Sequence, residues 1–381
     1  FPATAGGGAE SQVRTLALRL RQRGHRVTVL TPRFRHAPQA CVQRHDGVPV
    51  CRIAYPRVRI LGTLVLWLRV WAFLRARRRR YDVWHVHIAH HLGALACRAG
   101  AGLGVPVVVK ISGWWELERG LLRDGGVLRN AFGRRWLRRA TATQAISRRI
   151  EAELVAKGFP PRAIVALPNA IDTARFRPGA PADDAERTLT AVFVGRLVPE
   201  KGLDLLLDAW AAAFPAPGRA RLRLVGTGAV EAELRARAER LGIAAQVEFL
   251  GHRDDVESVL HEADFGVLPS TIEGLSNTLL EFMASGLPVV ASRISGSEDF
   301  VVDGRNGWLF PSRDLAALAE RLRAAAALER TALRALGRQA RVDVESRAGL
   351  DRVVDRLLTL YRGGDPRAAS APSLDAPAER G

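Results

Sequence analysis

The chain has 381 residues, 48% hydrophobic and 25% charged, with a formal net charge of +18. That length exceeds one ordinary core and suits two domains, and the balance excludes disordered and fibrous classes. No apolar run reaches the roughly eighteen residues needed to span a bilayer; the nearest, Ile60–Leu74, is interrupted by Arg69.

The basic excess is almost all arginine, since Lys110, Lys157 and Lys201 are the only lysines. It is spread through helices, with aromatics at 6% and no stacking cluster among them. Nucleic acid is therefore not an expected partner, whereas an anionic membrane surface or an anionic acceptor is compatible. Cys41, Cys51 and Cys97 form no C-x-x-C pair and leave an odd thiol. They read as reduced, mostly buried thiols of a cytoplasmic protein.

The chain opens on Phe1 and runs through Gly6-Gly7-Gly8 into a helix over Ala9–Arg23, with Val13, Leu16, Ala17 and Leu20 on one stripe. A glycine loop entering a helix normally follows a strand, so a first strand is expected to be missing. Gly7 and Gly8 could bring backbone close to a phosphate or sugar, although glycine runs also mark flexible ends. The pattern is not G-x-G-x-x-G, so no nicotinamide cofactor is indicated. Strands follow at Val27–Leu30, Val48–Ala54, Val83–Val86, Val105–Ile111, Thr143–Ile146 and Ile164–Leu167, with helices between most of them, which implies parallel βαβ units.

Three features of this half bear on function. Ile60–Arg80 is an apolar, tryptophan-bearing helix with a polybasic end. It reads either as an interfacial anchor on anionic lipid or as a core helix whose arginines answer the dipole. His85, His87, His90 and His91 cluster, but no carboxylate or thiol joins them at ligand spacing except the ambiguous Cys97, so a metal is not expected. His87 remains a candidate acceptor contact. The strand Val105–Ile111 leads into Ser112-Gly113-Trp114-Trp115-Glu116. There Lys110 offers charge to a ligand or an interdomain ion pair, Ser112 a hydroxyl, and Trp114 a stacking face or ordinary packing.

Composition shifts to Pro, Ala, Asp and Gly near 178–187, a linker, after which the strand–helix pattern restarts. Strands are expected at Thr190–Val194, Leu222–Val225, Val247–Leu250, Phe265–Leu268 and Val289–Ala291. Helices are expected at Leu203–Phe214, Ala229–Leu241, Val256–Glu262 and Asn277–Ser285, then from Asp314 to Arg338. Two doubly wound α/β domains facing a cleft result, with ligands beyond the C-terminal strand ends.

In Val194–Gly202, Gly195 ends a strand, and Arg196 and Lys201 project where a diphosphate could meet two different cations. Gly226 and Gly228 make a second strand–glycine–helix turn that lines a pocket or merely turns the chain. Gly251-His252-Arg253 ends another strand. In Glu273–Glu281 the two carboxylates are eight positions apart, a little over two helical turns, so both can sit near one face. Glu273 would lie at the helix mouth, where the dipole alone favours an acid. Glu281 sits among Leu279, Leu280, Phe282 and Met283, where a carboxylate needs hydrogen-bond donors.

The wider stretch Leu268–Ala291 resembles the donor-site signature of glycosyltransferase family 4, retaining GT-B enzymes that use nucleotide-sugar donors. Other segments match in the expected order over nearly the whole chain. The resemblance implies two Rossmann-like domains: an acceptor-side domain over 1–182 and a donor domain over 183–344. It further implies a helix over 345–362 crossing back; residues 363–381, rich in Ala, Pro and Ser, read from composition as a disordered tail. It implies that Arg196 and Lys201 hold the donor pyrophosphate and stabilise the leaving group. Glu281 would accept from the ribose hydroxyls, and Glu273 would face the transferred sugar beside the backbone of Gly274, Leu275 and Ser276. Gly251, His252 and Arg253 would flank the base. No metal is implied. The acceptor would be a glycan or lipid-linked glycan precursor, as in cell-envelope polysaccharide synthesis, and the enzyme cytoplasmic or peripheral on the membrane. Many relatives carry histidine where Ser112 stands, and a hydroxyl cannot take the cationic form of imidazole. Two other readings stay open: a nucleotide-sugar epimerase on the same fold, and a non-catalytic binder of anionic lipid or nucleic acid.

Overall fold

A computed structural model of the chain describes residues 7–33, 40–56, 58–123, 128–179, 188–216, 218 and 220–365. Gly6 and the residues before it, linker residues 180–187 and tail residues 366–381 lie outside the described set. The chain divides into two units, residues 1–170 with 350–381, and residues 171–349. The first unit thus ends at Ala170, ahead of the composition shift, and residues 171–179 go with the second.

The first unit begins with α1 (Gly8–Gln22), β1 (Val29–Pro32), β2 (Val42–His45) and β3 (Val48–Ile53). In α1 the buried stripe is Gln12, Leu16, Ala17 and Leu20, so Gln12 takes the place expected of Val13. Its amide donates to the Ala170 carbonyl at 2.8 Å and accepts from the Ala170 N–H at 2.9 Å, which makes a buried polar side chain tolerable. The sheet order is β1-β3-β2, with β1 parallel and β2 antiparallel to β3. Strand β2 was not expected from its polar sequence. It exists because Asp46 (φ 50) and Gly47 (φ 77) form a tight hairpin turn, the Asp-Gly pair that such turns require. Cys41 stands just before this solvated strand and is exposed, which corrects the expectation of mostly buried thiols.

Next come α2 (Arg59–Ala76), β4 (Trp84–Val86), α3 (His91–Leu103), β5 (Val107–Ile111), α4 (Trp115–Glu118), α5 (Leu128–Leu137), β6 (Ala142–Ala145), α6 (Arg148–Ala156) and β7 (Ile164–Ala166). Strands β4-β5-β6-β7 form a parallel sheet in that order. Every residue of β5 is buried, as a strand covered on both faces requires.

The second unit contains β8 (Leu189–Val194), α7 (Leu203–Ala213), β9 (Ala220–Val225), α8 (Glu231–Arg240), β10 (Val247–Gly251), α9 (Val256–His261), β11 (Phe265–Leu268), α10 (Asn277–Ala284) and β12 (Val289–Ser292). It continues with α11 (Ser297–Phe300), β13 (Gly307–Phe310), α12 (Leu315–Ala327) and α13 (Arg330–Ala348). The six strands are parallel in the order β10-β9-β8-β11-β12-β13. The winding reverses between β8 and β11, which makes their C-terminal ends the place for a ligand. Strand β13 was not anticipated from the sequence. Helix α14 (Leu350–Tyr361) returns the chain to the first unit. There Leu350, Val353, Val354 and Leu357 pack with Leu16, Leu20 and Val108.

Candidate functional site

In the second unit the loops that leave β8, β9, β10 and β11 are tied together by backbone. The Gly195 N–H donates to the Val225 carbonyl at 2.9 Å, Leu197 N–H to Thr227 at 2.9 Å, and Gly226 N–H to Gly251 at 2.7 Å. Two glycines let the strands come this close. A Cβ on Gly226 would stand 1.9 Å from the Gly195 oxygen, and one on Gly228 would stand 2.0 Å from the Leu197 oxygen. The even choice between lining and turning at Gly226 and Gly228 thus gains a physical content: both are needed for the loop that presents Arg196.

Arg196 is exposed, and its guanidinium lies 3.7 Å from Glu200. Lys201 is held inward. Gly202, with φ 65, opens α7, and the Thr271 N–H donates to the Glu200 carbonyl at 2.9 Å, which joins the loops after β8 and β11. Across that seam the Lys201 ammonium pairs with the Glu273 carboxylate, which also accepts from Ser270 Oγ at 3.3 Å. Glu273 lies in the loop between β11 and α10, as expected, and is fixed there by Lys201 and Ser270. Ser295 Oγ donates to the Gly274 carbonyl at 3.0 Å, and Gly274, Leu275 and Ser276 are buried. Ser276 caps α10 without a side-chain hydrogen bond.

Glu281 projects from α10 between buried Leu279, Leu280, Phe282 and Met283. Burial pushes its pKa up to about 7; Arg175 opposes that shift and Glu257 adds to it. Its carboxylate has no hydrogen-bond partner among the described residues. Arg175 was not singled out from the sequence. It donates to Glu257 at 2.9 Å and to the Asp254 carbonyl at 3.3 Å, and its own turn is set by Asp172 Oδ1 accepting from the Ala174 and Arg175 N–H groups. Only that Asp-initiated turn could have marked it in the sequence. His252 and Arg253 follow β10 on the same sheet edge, but their side chains face Asp254 at 3.4 Å and Asp255 at 2.7 Å.

The remaining candidates lie in the first unit. Gly7 and Gly8 begin α1 and are exposed. At the ends of β4 and β5 a buried polar cluster forms. The His85 and His87 rings stack at 4.3 Å, and His85 Nδ1 lies 2.6 Å from the Tyr361 hydroxyl. Burial, then Lys110, lowers His85 to about 3, and burial holds His87 well below the ordinary imidazole range. Lys110 is buried, which lowers its amine to about 7 against the pull of Glu116. Because both belong to the first unit, Lys110 makes no interdomain pair through Glu116.

Glu116 is fully buried. Its carboxylate accepts from the N–H groups of Ala89 at 2.6 Å, Ser112 at 2.6 Å and Gly113 at 2.9 Å. Burial still raises it to about 7. The Ser112 hydroxyl donates to the His87 carbonyl, so its remaining use toward a ligand is as an acceptor. Trp114 donates to Glu118 at 2.7 Å and is partly buried, whereas Trp115 is exposed. Among the described residues no group of three or more His, Cys, Asp or Glu side chains is placed to hold a metal ion.

Two family models match the chain, one described as Glycosyltransferase Family 4 over residues 6–175 and one as Glycosyl transferases group 1 over 188–327. The phosphatidyl-myo-inositol mannosyltransferase of Mycobacterium tuberculosis is 31% identical over 327 residues, 80% of this chain and 79% of that one. WcaL of Escherichia coli, assigned to colanic acid biosynthesis as a glycosyltransferase, is 33% identical over 196 residues. That match covers 49% of this chain and only about half, 48%, of WcaL. The solved structure of HepE from Anabaena in complex with UDP superposes with a TM-score of 0.76 at 20% identity, over 94% of this chain and 97% of that one.

Proposed function

The chain belongs to glycosyltransferase family 4 and has the GT-B fold; from that premise we propose that it moves a sugar from a nucleoside diphosphate sugar to a hydroxyl acceptor, with retention at the anomeric carbon. The observation that carries the reading is the Lys201–Glu273 pair beside Arg196 at the point where the six-stranded sheet reverses its winding.

Lys201 and Arg196 answer the two phosphates, one as a compact charge and one as a planar fork. Glu273 then faces the sugar hydroxyls, together with the backbone of Gly274–Ser276. Glu281 accepts from the ribose hydroxyls, the donors its apolar surroundings lack. Gly195, Gly226 and the backbone beside His252 and Arg253 close around the nucleotide. The acceptor oxygen attacks the anomeric carbon on the face the leaving group departs from. As that carbon–oxygen bond forms, the bond to phosphate breaks, the departing phosphate takes the acceptor proton, and Arg196 and Lys201 stabilise its charge. The reading gives no step to a metal ion.

On the acceptor side Lys110, Ser112, Trp114 and His87 are assigned to a glycan or lipid-linked glycan. Among the described residues no helix is long and apolar enough to cross a membrane. We place the enzyme in the cytoplasm, with an anionic membrane surface met through Ile60–Arg80.

The test is a thermal-shift panel of nucleoside diphosphates and their sugars. One nucleotide should stabilise the protein by about 2–3 kcal/mol at a hundredfold excess over Kd. That stabilisation should vanish in Glu281→Ala. No stabilisation by any nucleotide, or an undiminished one in the variant, overturns the assignment.

A further inference from the structure

Helix α2 is apolar on two faces at once. Leu66, Val70 and Leu74, spaced by four, are buried and fix it to the first unit, which answers the core-helix reading. On the other side Ile60, Leu64, Leu68 and Trp71 follow at steps of four, four and three, with Leu61 beside them. They stay open to solvent: Leu64 is 54% and Leu68 65% exposed. A helix that is apolar all round normally has its second face covered too.

The row continues onto α5. Trp67, on the flank of the row, lies 6.3 Å from Trp136, and Phe132 on the same helix is 58% exposed. Between these helices a cavity of about 270 Å³ is lined by Trp67, His91, Ala94, Phe132, Gly133 and Trp136, nearly all apolar. Charge says what covers the surface. Residues 59–80 and 128–140 contain no acid, while Arg75, Arg77, Arg78, Arg79 and Arg80 end α2, and Arg135 and Arg139 stand exposed on or just after α5. One of these guanidiniums is held at the apolar row itself, Arg75 at 5.3 Å from the Trp71 ring, and Arg77 lies 4.0 Å from the half-buried Phe73 ring of the same helix.

We infer that this face docks on an anionic lipid bilayer. Leu64, Leu68, Trp71 and Phe132 enter the headgroup–acyl boundary, the arginines meet lipid phosphates, and the cavity beside Phe132 takes the end of one acyl chain. The inference deepens the membrane part of the proposed function but needs no donor. Vesicle binding and sugar transfer can therefore fail separately.

The test is co-sedimentation of the purified chain with vesicles of phosphatidylcholine alone or with about one third phosphatidylglycerol. The protein should pellet with the anionic vesicles only. Leu64→Gln with Leu68→Gln should lower its partition by roughly tenfold or more. Both positions are exposed, so an unchanged melting curve shows that the fold survives. Arg78→Glu with Arg79→Glu should lower binding comparably, and Trp emission should be quenched by brominated acyl chains in the wild type and less so in Trp71→Phe. Three outcomes overturn the inference: no vesicle binding, binding indifferent to the leucine pair, or a dimer in solution that the leucine substitutions dissociate, since a second copy would then cover the face.

Discussion

Lys201 and Glu273, 72 positions apart in sequence, meet as an ion pair that bridges the loops leaving β8 and β11. Their side chains are 17% and 20% exposed, so the pair is neither freely solvated nor sealed away. Under the proposed function, a ligand diphosphate entering from the open side would compete with Glu273 for the same ammonium and release the acid toward the sugar.

Lys201→Ala should therefore weaken nucleoside diphosphate binding by roughly 10–100-fold, the equivalent of one lost charge-assisted contact. Glu273→Ala should leave nucleoside diphosphate binding within a few-fold of wild type and abolish transfer. Calorimetric titration and a transfer assay separate the two. Equal losses of nucleotide affinity in both variants would refute the division of labour between them.

Gly228→Ala tests the loop that presents Arg196. The new methyl would lie 2.0 Å from the Leu197 carbonyl oxygen, backbone that cannot rotate away. The loop must shift, at a cost of about 1–3 kcal/mol, and carry Arg196 from its place. Lower melting together with at least tenfold weaker nucleotide binding is expected. A variant that melts lower but binds normally would mean that Arg196 needs no exact placement.

Most of this sheet edge could be read from residues alone, because parallel strands write themselves as short apolar runs and their ligand loops follow directly. What stayed hidden was set by pairing across distance. The burial of Gln12 depends on Ala170, and that of Glu116 on three N–H groups from two loops. No spacing rule reaches either. Arg175 enters the neighbourhood of Glu281 from a turn a hundred residues earlier. Strand β2 was legible after all, since the Asp46-Gly47 pair is a hairpin signal that its polar flanks obscured.

The pKa of Glu281 has two consequences of opposite sign. Held at about 7 in the folded chain against an ordinary 4.5, the carboxyl keeps a proton that the unfolded chain has lost between those values. Its contribution to stability therefore falls as pH rises from 4.5 to 7 and is level above. In the proposed role ribose hydroxyls would donate to the carboxylate, so nucleotide affinity should instead rise through neutrality, about tenfold per pH unit well below 7. Glu281→Gln should flatten that dependence and leave only the titration of the nucleotide itself. A profile identical in wild type and variant would remove Glu281 from the site.

Glu116 ties the loop after β4 to the loop after β5 with Lys110 close by, and both groups are drawn toward neutrality from opposite directions. Between pH 4.5 and 7 folded Glu116 holds a proton that the unfolded chain has released, so the first unit loses stability as pH rises. Between 7 and 10.5 folded Lys110 lacks a proton that the unfolded chain keeps, so stability climbs again. The first unit should have its stability minimum near neutral pH, seen as a dip in its hydrogen-exchange protection, and Lys110→Met should erase the alkaline rise. Glu116→Gln leaves one oxygen for donors that now reach two, and should cost about 2–3 kcal/mol. The expected loss of about 4–12 °C follows for a unit of this size. Because Ser112, Gly113 and Ala89 are positioned by this carboxylate, acceptor KM should rise in Glu116→Gln while nucleotide binding in the second unit stays unchanged. A fall in nucleotide affinity of the same size would show that the substitution acts on the whole fold.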